Sequence, residues 1–120
     1  PDGGSTYALP RTVGLKRAFE IALLGDRFDA EAALAAGLIN RVVAAADLQA
    51  ETDALAQRLA KGPAAALART KALLNDSFDK SLRQQLAAET EAFIESTLSG
   101  DFAEGVTAFV EKRAPVFDGK

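Results

Sequence analysis

Cysteine and histidine are both absent from this chain of 120 residues. Without Cys there is no disulfide, no thiol nucleophile and no Cys-built zinc site, and without His the usual imidazole base and metal ligand are gone. A long basic run is also missing: 14 Lys and Arg stand against 17 Asp and Glu, for a formal net charge of −3. Binding a phosphate backbone needs clustered cations that release counterions, so nucleic acid is not an expected partner. No apolar stretch approaches the roughly 20 residues that span a bilayer, and no basic start followed by an apolar run marks a signal peptide. The expectation is a soluble, cytoplasmic protein with no membrane partner. Met is absent too and the chain opens on Pro1, so it is expected to be a piece of a longer protein. What is present is 48% hydrophobic, which suits one globular unit with a core of its own but not a second full domain.

The apolar residues recur mostly at helical spacing. Leu15, Ala18, Phe19, Ala22 and Leu23 fall on one stripe and predict a helix over 14–24, stopped by Gly25. Asp29 stands at an N-cap position before a short Ala-rich helix over 30–36 that ends at Gly37. Leu38, Ile39, Val42 and Val43 form the one β-branched cluster and read as a short strand or an extended connector. Asp47 is expected to cap the next helix, with Leu48, Leu55, Ala56 and Leu59 inward, and Gly62 and Pro63 punctuate it. Pro63 suits the first position of a helix carrying Leu67, Leu74 and Phe78. Asn75 to Ser81 break the pattern before a helix over 81–98 with Leu82, Leu86, Phe93 and Ile94 inward. Asp101 is read as the cap of a last helix, in which Phe102, Val106, Phe109 and Val110 share a face until Ala114 and Pro115. The fold class is mostly α, about six helices with at most one short strand. From Leu82 onward acids outnumber bases, as a solvated helix face would have it.

The opening string PDGGSTYALPR is the first candidate for chemistry. Its two glycines allow close backbone approach, and Ser5 or Thr6 is expected to cap the helix that follows. Asp2 is the one carboxylate in the string. It is either a turn or capping residue, or a base whose pKa rises in an apolar pocket until it can move a proton beside a thioester. Tyr7 is core or pocket wall. Arg11, Lys16 and Arg17 form a small basic group that marks an exposed face or a phosphate site.

Three strings then carry a resemblance: PDGGSTYALPRTVG, LLGDRFDAEAALAAGLINRVV and EGVTAFVEKRAPVFDG. Together they are similar to the C-terminal half of the crotonase family, the enoyl-CoA hydratases and isomerases. The middle string is the most specific, through Leu24, Gly25, Ala30, Glu31, Ala32, then Gly37, Leu38, Ile39, Asn40 and the pair Val42 and Val43. The resemblance implies the helical, oligomerising C-terminal region of an α/β spiral fold. Residues 1–45 would be the end of the crotonase core and residues 46–120 the trimerisation region. It implies acyl-CoA chemistry, with two backbone amides holding the thioester oxygen and carboxylates moving protons around an enolate. No cofactor is implied beyond the coenzyme A of the substrate.

In such proteins both amides, and the glutamates of the hydratases, lie in the N-terminal half, so these 120 residues alone are expected to be inactive. Asp2 matches the aspartate that dienoyl-CoA isomerases and the ring-epoxide isomerase of phenylacetyl-CoA degradation use, which favours an isomerase. The resemblance further implies a homo-trimer or hexamer, and a last helix that closes over the acyl-CoA site. Phe109, Lys112 and Arg113 are the matching residues there, an aromatic ring beside cations that suits an adenine nucleotide. The alternative for them is a core Phe and two helix-end charges. A second function class stays open: a noncatalytic helical assembly module whose exposed apolar faces make it self-associate.

Overall fold

A computed structural model describes residues 2–119; Pro1 and Lys120, which belong to the opening motif and the charge balance, lie outside the described residues. Seven α-helices and one 3₁₀ turn follow one another with no strand among the described residues. They are α1 (Ser5–Val13), α2 (Leu15–Leu24), α3 (Ala30–Ala35), α4 (Leu48–Ala60), α5 (Ala64–Asp76), the turn Ser77–Asp79, α6 (Leu82–Thr97) and α7 (Gly100–Glu111). The chain divides into two compact units, Pro1–Leu48 and Gln49–Lys120.

In the first unit α1 packs against α2. Helix α1 is one more than the periodicity predicts, and it replaces most of an expected loop. A turn starts it: the Asp2 carbonyl accepts from the Ser5 amide at 3.0 Å. Gly3 and Gly4 hold φ of 56° and 80°. Two successive left-handed residues are costly for any residue with a Cβ and free for glycine, which suits the glycine pair. A Cβ on either would meet nothing within 4 Å, so within this chain backbone conformation selects them, not close approach. The expected Ser5 or Thr6 cap is not formed. Gly4 is the N-cap, without a side-chain bond, and Ser5 is already helical.

Pro10 sits inside α1 and has no N–H to donate to the Thr6 carbonyl. Just after it, two side chains reach back to main-chain carbonyls: Arg11 Nη1 donates to Tyr7 O and Thr12 Oγ1 to Ala8 O, each at 3.0 Å. Helix α3 has the cap its sequence predicts, with the Ala32 amide donating to Asp29 Oδ1 at 2.9 Å. Residues 38–43 are an irregular connector. A strand needs a ladder partner, and none forms among the described residues.

In the second unit α5 packs on α6 and α6 on α7. Pro63 precedes α5 as its N-cap instead of opening it. Ser81 starts α6 with a capping box, its hydroxyl accepting from the Gln84 amide while Gln84 Oε1 accepts from the Ser81 amide at 2.9 Å. Ser99, not Asp101, caps α7 by accepting from the Phe102 amide at 3.2 Å. The core expected from composition does not form. Ala18, Asp101 and Ala108 are buried, while the inward-read Leu15, Phe19, Leu48, Leu59, Leu82, Phe93 and Phe109 are all exposed. The helical stripes exist, but among the described residues these side chains stay exposed.

Candidate functional site

Asp2 lies exposed at the first turn, with its main chain tied to Ser5. Behind it Tyr7, 55% exposed, is not core; the Arg11 guanidinium lies over its ring, 3.6 Å from the centroid. A cation on an aromatic face is attractive and fixes both side chains. Arg11 therefore separates from Lys16 and Arg17 in role. Arg17 instead faces Glu20 on α2, 3.8 Å away. Between α1 and α2 runs an apolar groove walled by Leu9, Pro10, Leu15, Phe19, Ala22 and Leu23.

The other candidates sit where α7 ends. Phe109 is 85% exposed and so is not the core residue its periodicity allows. Lys112 is the C-cap, with φ 55° and ψ 37°, and its amide donates to Ala108 O and Phe109 O. It is the one non-glycine residue with positive φ among the described residues. The left-handed region costs an ordinary side chain about 1–2 kcal/mol, so something downstream must hold it. Its side chain is exposed and meets no carboxylate among the described residues.

Arg113 is placed quite differently from Lys112. Its Nη1 and Nη2 donate to Glu104 Oε1 and Oε2 at 2.6 and 2.8 Å, and its Nε to Glu111 Oε2 at 2.6 Å. The forked pair with Glu104 is the strongest geometry an Arg and a carboxylate can take. Hydrogen bonding from Arg113, reinforced by the Val116 amide, holds the Glu104 carboxyl down from the usual 4.5 to about 2. The same bonds, Glu104 first and Glu111 second, push the Arg113 guanidinium further up.

Sequence reasoning overlooked Asp101 and Glu104 as working residues. Glu104 Oε1 also accepts the Val116 amide at 2.8 Å, and Asp101 Oδ1 accepts the amides of Asp118 and Gly119 at 3.0 and 3.3 Å. The signal was there in the spacing: Asp101, Glu104, Gly105 and Ala108 recur at i, i+3, i+4 and i+7. Because two of the four are charged, that face reads as wet. Elsewhere Arg69 on α5 bonds Glu95 at 3.1 Å and Ser96 at 3.4 Å across to α6. No group of three His, Cys, Asp or Glu that could hold a metal forms among the described residues. No helix among them is long and apolar enough to cross a membrane.

Comparison with known proteins gives this arrangement its context. The pattern of the enoyl-CoA hydratase/isomerase family matches residues 1–120. The chain belongs to that family. A probable enoyl-CoA hydratase of Rhodobacter capsulatus is 42% identical over 120 residues, all of this chain and 47% of that protein. The 1,2-epoxyphenylacetyl-CoA isomerase of Escherichia coli is 39% identical over 120 residues, again all of this chain and 46% of the other. The crystal structure of enoyl-CoA hydratase subunit I of Geobacillus kaustophilus superposes with a TM-score of 0.94 at 39% identity, covering all of this chain and 47% of that one. The chain thus spans just under half the length of these relatives. Its helices are those of a crotonase-fold protein, as the three sequence strings imply.

Proposed function

We propose that this chain is the C-terminal part of an acyl-CoA isomerase or hydratase, which moves protons on an enoyl-CoA thioester through an oxyanion-stabilised enolate. The observation that carries the reading is the match along all 120 residues to relatives named for this chemistry, one of them an epoxyphenylacetyl-CoA isomerase. Asp2 is the carboxylate that transfers the proton, held at the start of α1 by the Gly3–Gly4 turn, and it favours isomerase over hydratase. The oxyanion amides belong to sequence outside these residues, so the chain by itself does not turn over. Rate enhancement in such a site comes chiefly from those amides, with the carboxylate adding the proton transfer.

At the far end of the substrate, the exposed Phe109 ring and the Lys112 ammonium take the adenine nucleotide of coenzyme A, with Arg113 in the same turn. The assembly is a cytoplasmic homo-trimer or a hexamer of two trimers. The test is Asp2→Asn in the full-length protein, which keeps the shape and removes the base. Isomerisation should fall by at least a hundredfold with acyl-CoA affinity unchanged, and undiminished turnover would refute the assignment.

A second reading is favoured by the bare apolar residues Phe93, Leu98, Phe109 and Val110, which are 62%, 83%, 85% and 73% exposed. By itself the chain is a noncatalytic helical module that self-associates through such faces. Sedimentation decides it, since a stable dilute monomer is incompatible with this role.

A further inference from the structure

The chain beyond α7 doubles back along the helix and is fastened there at both ends. Close to the turn, Glu104 binds the Arg113 fork and the Val116 amide. Farther along, Asp101 binds the amides of Asp118 and Gly119. Between the two the Phe117 ring lies over Gly105, 3.8 Å from where a Cβ would stand. Both carboxylates come from one face of α7, three residues apart. The pivot of the reversal is Lys112, whose backbone is left-handed without being glycine.

Two adjacent cations therefore have different circumstances. Arg113 is committed to Glu104 and Glu111, whereas the Lys112 side chain is exposed and takes part in no ion pair among the described residues. A guanidinium already forked onto one carboxylate and bonded to a second has few donors left for a phosphate. An ammonium with three undirected donors has all of them.

We infer that Asp101 and Glu104 are positioning residues of the nucleotide end of the acyl-CoA site: they clasp the returning tail so that Lys112 is presented to the phosphate beside Phe109, and Arg113 is the strut of that clasp. This rests on the reading of Phe109 and Lys112 as the nucleotide-binding residues. Opening the clasp lets Lys112 relax to a right-handed or extended backbone, which redirects its side chain.

The experiment titrates the full-length protein with coenzyme A and with its 3′-dephospho form, so that the ratio of the two affinities reports the phosphate contact. Glu104→Ala, which removes the acceptor of the Val116 amide, should cut that ratio at least fivefold and raise KM for the acyl-CoA substrate with kcat within twofold, while exchange of the Val116 amide quickens. Arg113→Lys should lose as much although it keeps the charge. Asp101→Ala should behave like Glu104→Ala, and Asp101→Asn, which keeps an acceptor oxygen for the two amides, should restore the ratio. If the Val116 amide is freed and the ratio holds, the clasp does not position the site and the inference is overturned. Retention of the ratio by Arg113→Lys overturns it as well, since Arg113 is then a direct ligand. A ratio untouched by Lys112→Ala instead removes the nucleotide reading beneath it. Should Glu104→Ala fail to fold, the Asp101 pair decides.

Discussion

Ala108 and Phe109 are chain neighbours on α7, yet the first is 1% exposed and the second 85%. The helix therefore buries Asp101 and Ala108 on its small and acidic face and leaves Phe109 and Val110 bare. Amphipathic patterning alone assigns the two faces the other way. The returning tail explains the inversion. It has amides to satisfy, and carboxylates at positions 101 and 104 satisfy them better than an apolar surface could.

This arrangement sets the sign of two substitutions. Ala108→Leu forces three more carbons into a filled place and should cost about 1–3 kcal/mol. Phe109→Ser removes a ring that this chain does not bury and should change stability by no more than about 0.5 kcal/mol. Urea unfolding of the chain itself measures both. A large loss at Phe109 with none at Ala108 would mean that the stripe is the buried face.

Glu104 ties stability to acidity in a definite direction. Its carboxyl is lowered from 4.5 to about 2 by Arg113 and the Val116 amide, so the folded state prefers the ionised form. A depressed carboxylate contributes fully above its unfolded pKa, and that contribution is lost as pH falls through the folded one. The stability difference between wild type and Glu104→Gln should thus be constant above about pH 5 and shrink between 4.5 and about 2. Unfolding midpoints of the two proteins across that range provide the check, and a gap that widens on acidification would contradict the pairing.

Two N-caps, one expected from the sequence and one shown by the structure, set a further test. Asp29 accepts from Ala32 at 2.9 Å, and Ser81 completes a reciprocal pair with Gln84. Replacing either by Ala should lower stability by about 1 kcal/mol, and by less when Gly is used. Helix-specific amide exchange distinguishes them, because Asp29→Ala should loosen α3 and Ser81→Ala the first turn of α6.

How far the residues speak for themselves varies along the chain. Helix α3 was legible because cap and stop agree, with Asp29 before Ala30 and Gly37 beyond the last turn, whereas α2 and α6 were legible through their apolar stripes and stops. Helix α1 was not, since Pro10 and the glycine pair read as loop, and only the backbone conformation of Gly3 and Gly4 reveals a turn feeding directly into Ser5. The α7 cap was misplaced by two residues because Asp101 is a good cap by composition, while Ser99 does the capping and leaves Asp101 for the tail. Of the candidate site, Asp2, Phe109, Lys112 and Arg113 were found through the family strings. The clasp was not, because its partners are main-chain amides, and those leave no trace in residue type.

Lys112 offers the last test, one in which stability and binding should part company. Its φ of 55° suits glycine, which pays no Cβ penalty there but loses more backbone entropy on folding. The first effect is about 1–2 kcal/mol and the second about 0.5–1, so Lys112→Gly should stabilise the folded chain by up to about 1.5 kcal/mol. The same change deletes the ammonium proposed to meet the nucleotide phosphate, and affinity for coenzyme A should fall about tenfold, the loss of one charge-assisted hydrogen bond. Arg113→Gly, by contrast, should lower stability, because Glu104 and Glu111 lose their shared partner. Thermal unfolding paired with coenzyme A titration of both variants separates the outcomes. If Lys112→Gly destabilises the chain, the left-handed cap is not under strain, and the ammonium contributes to folding through a contact of its own.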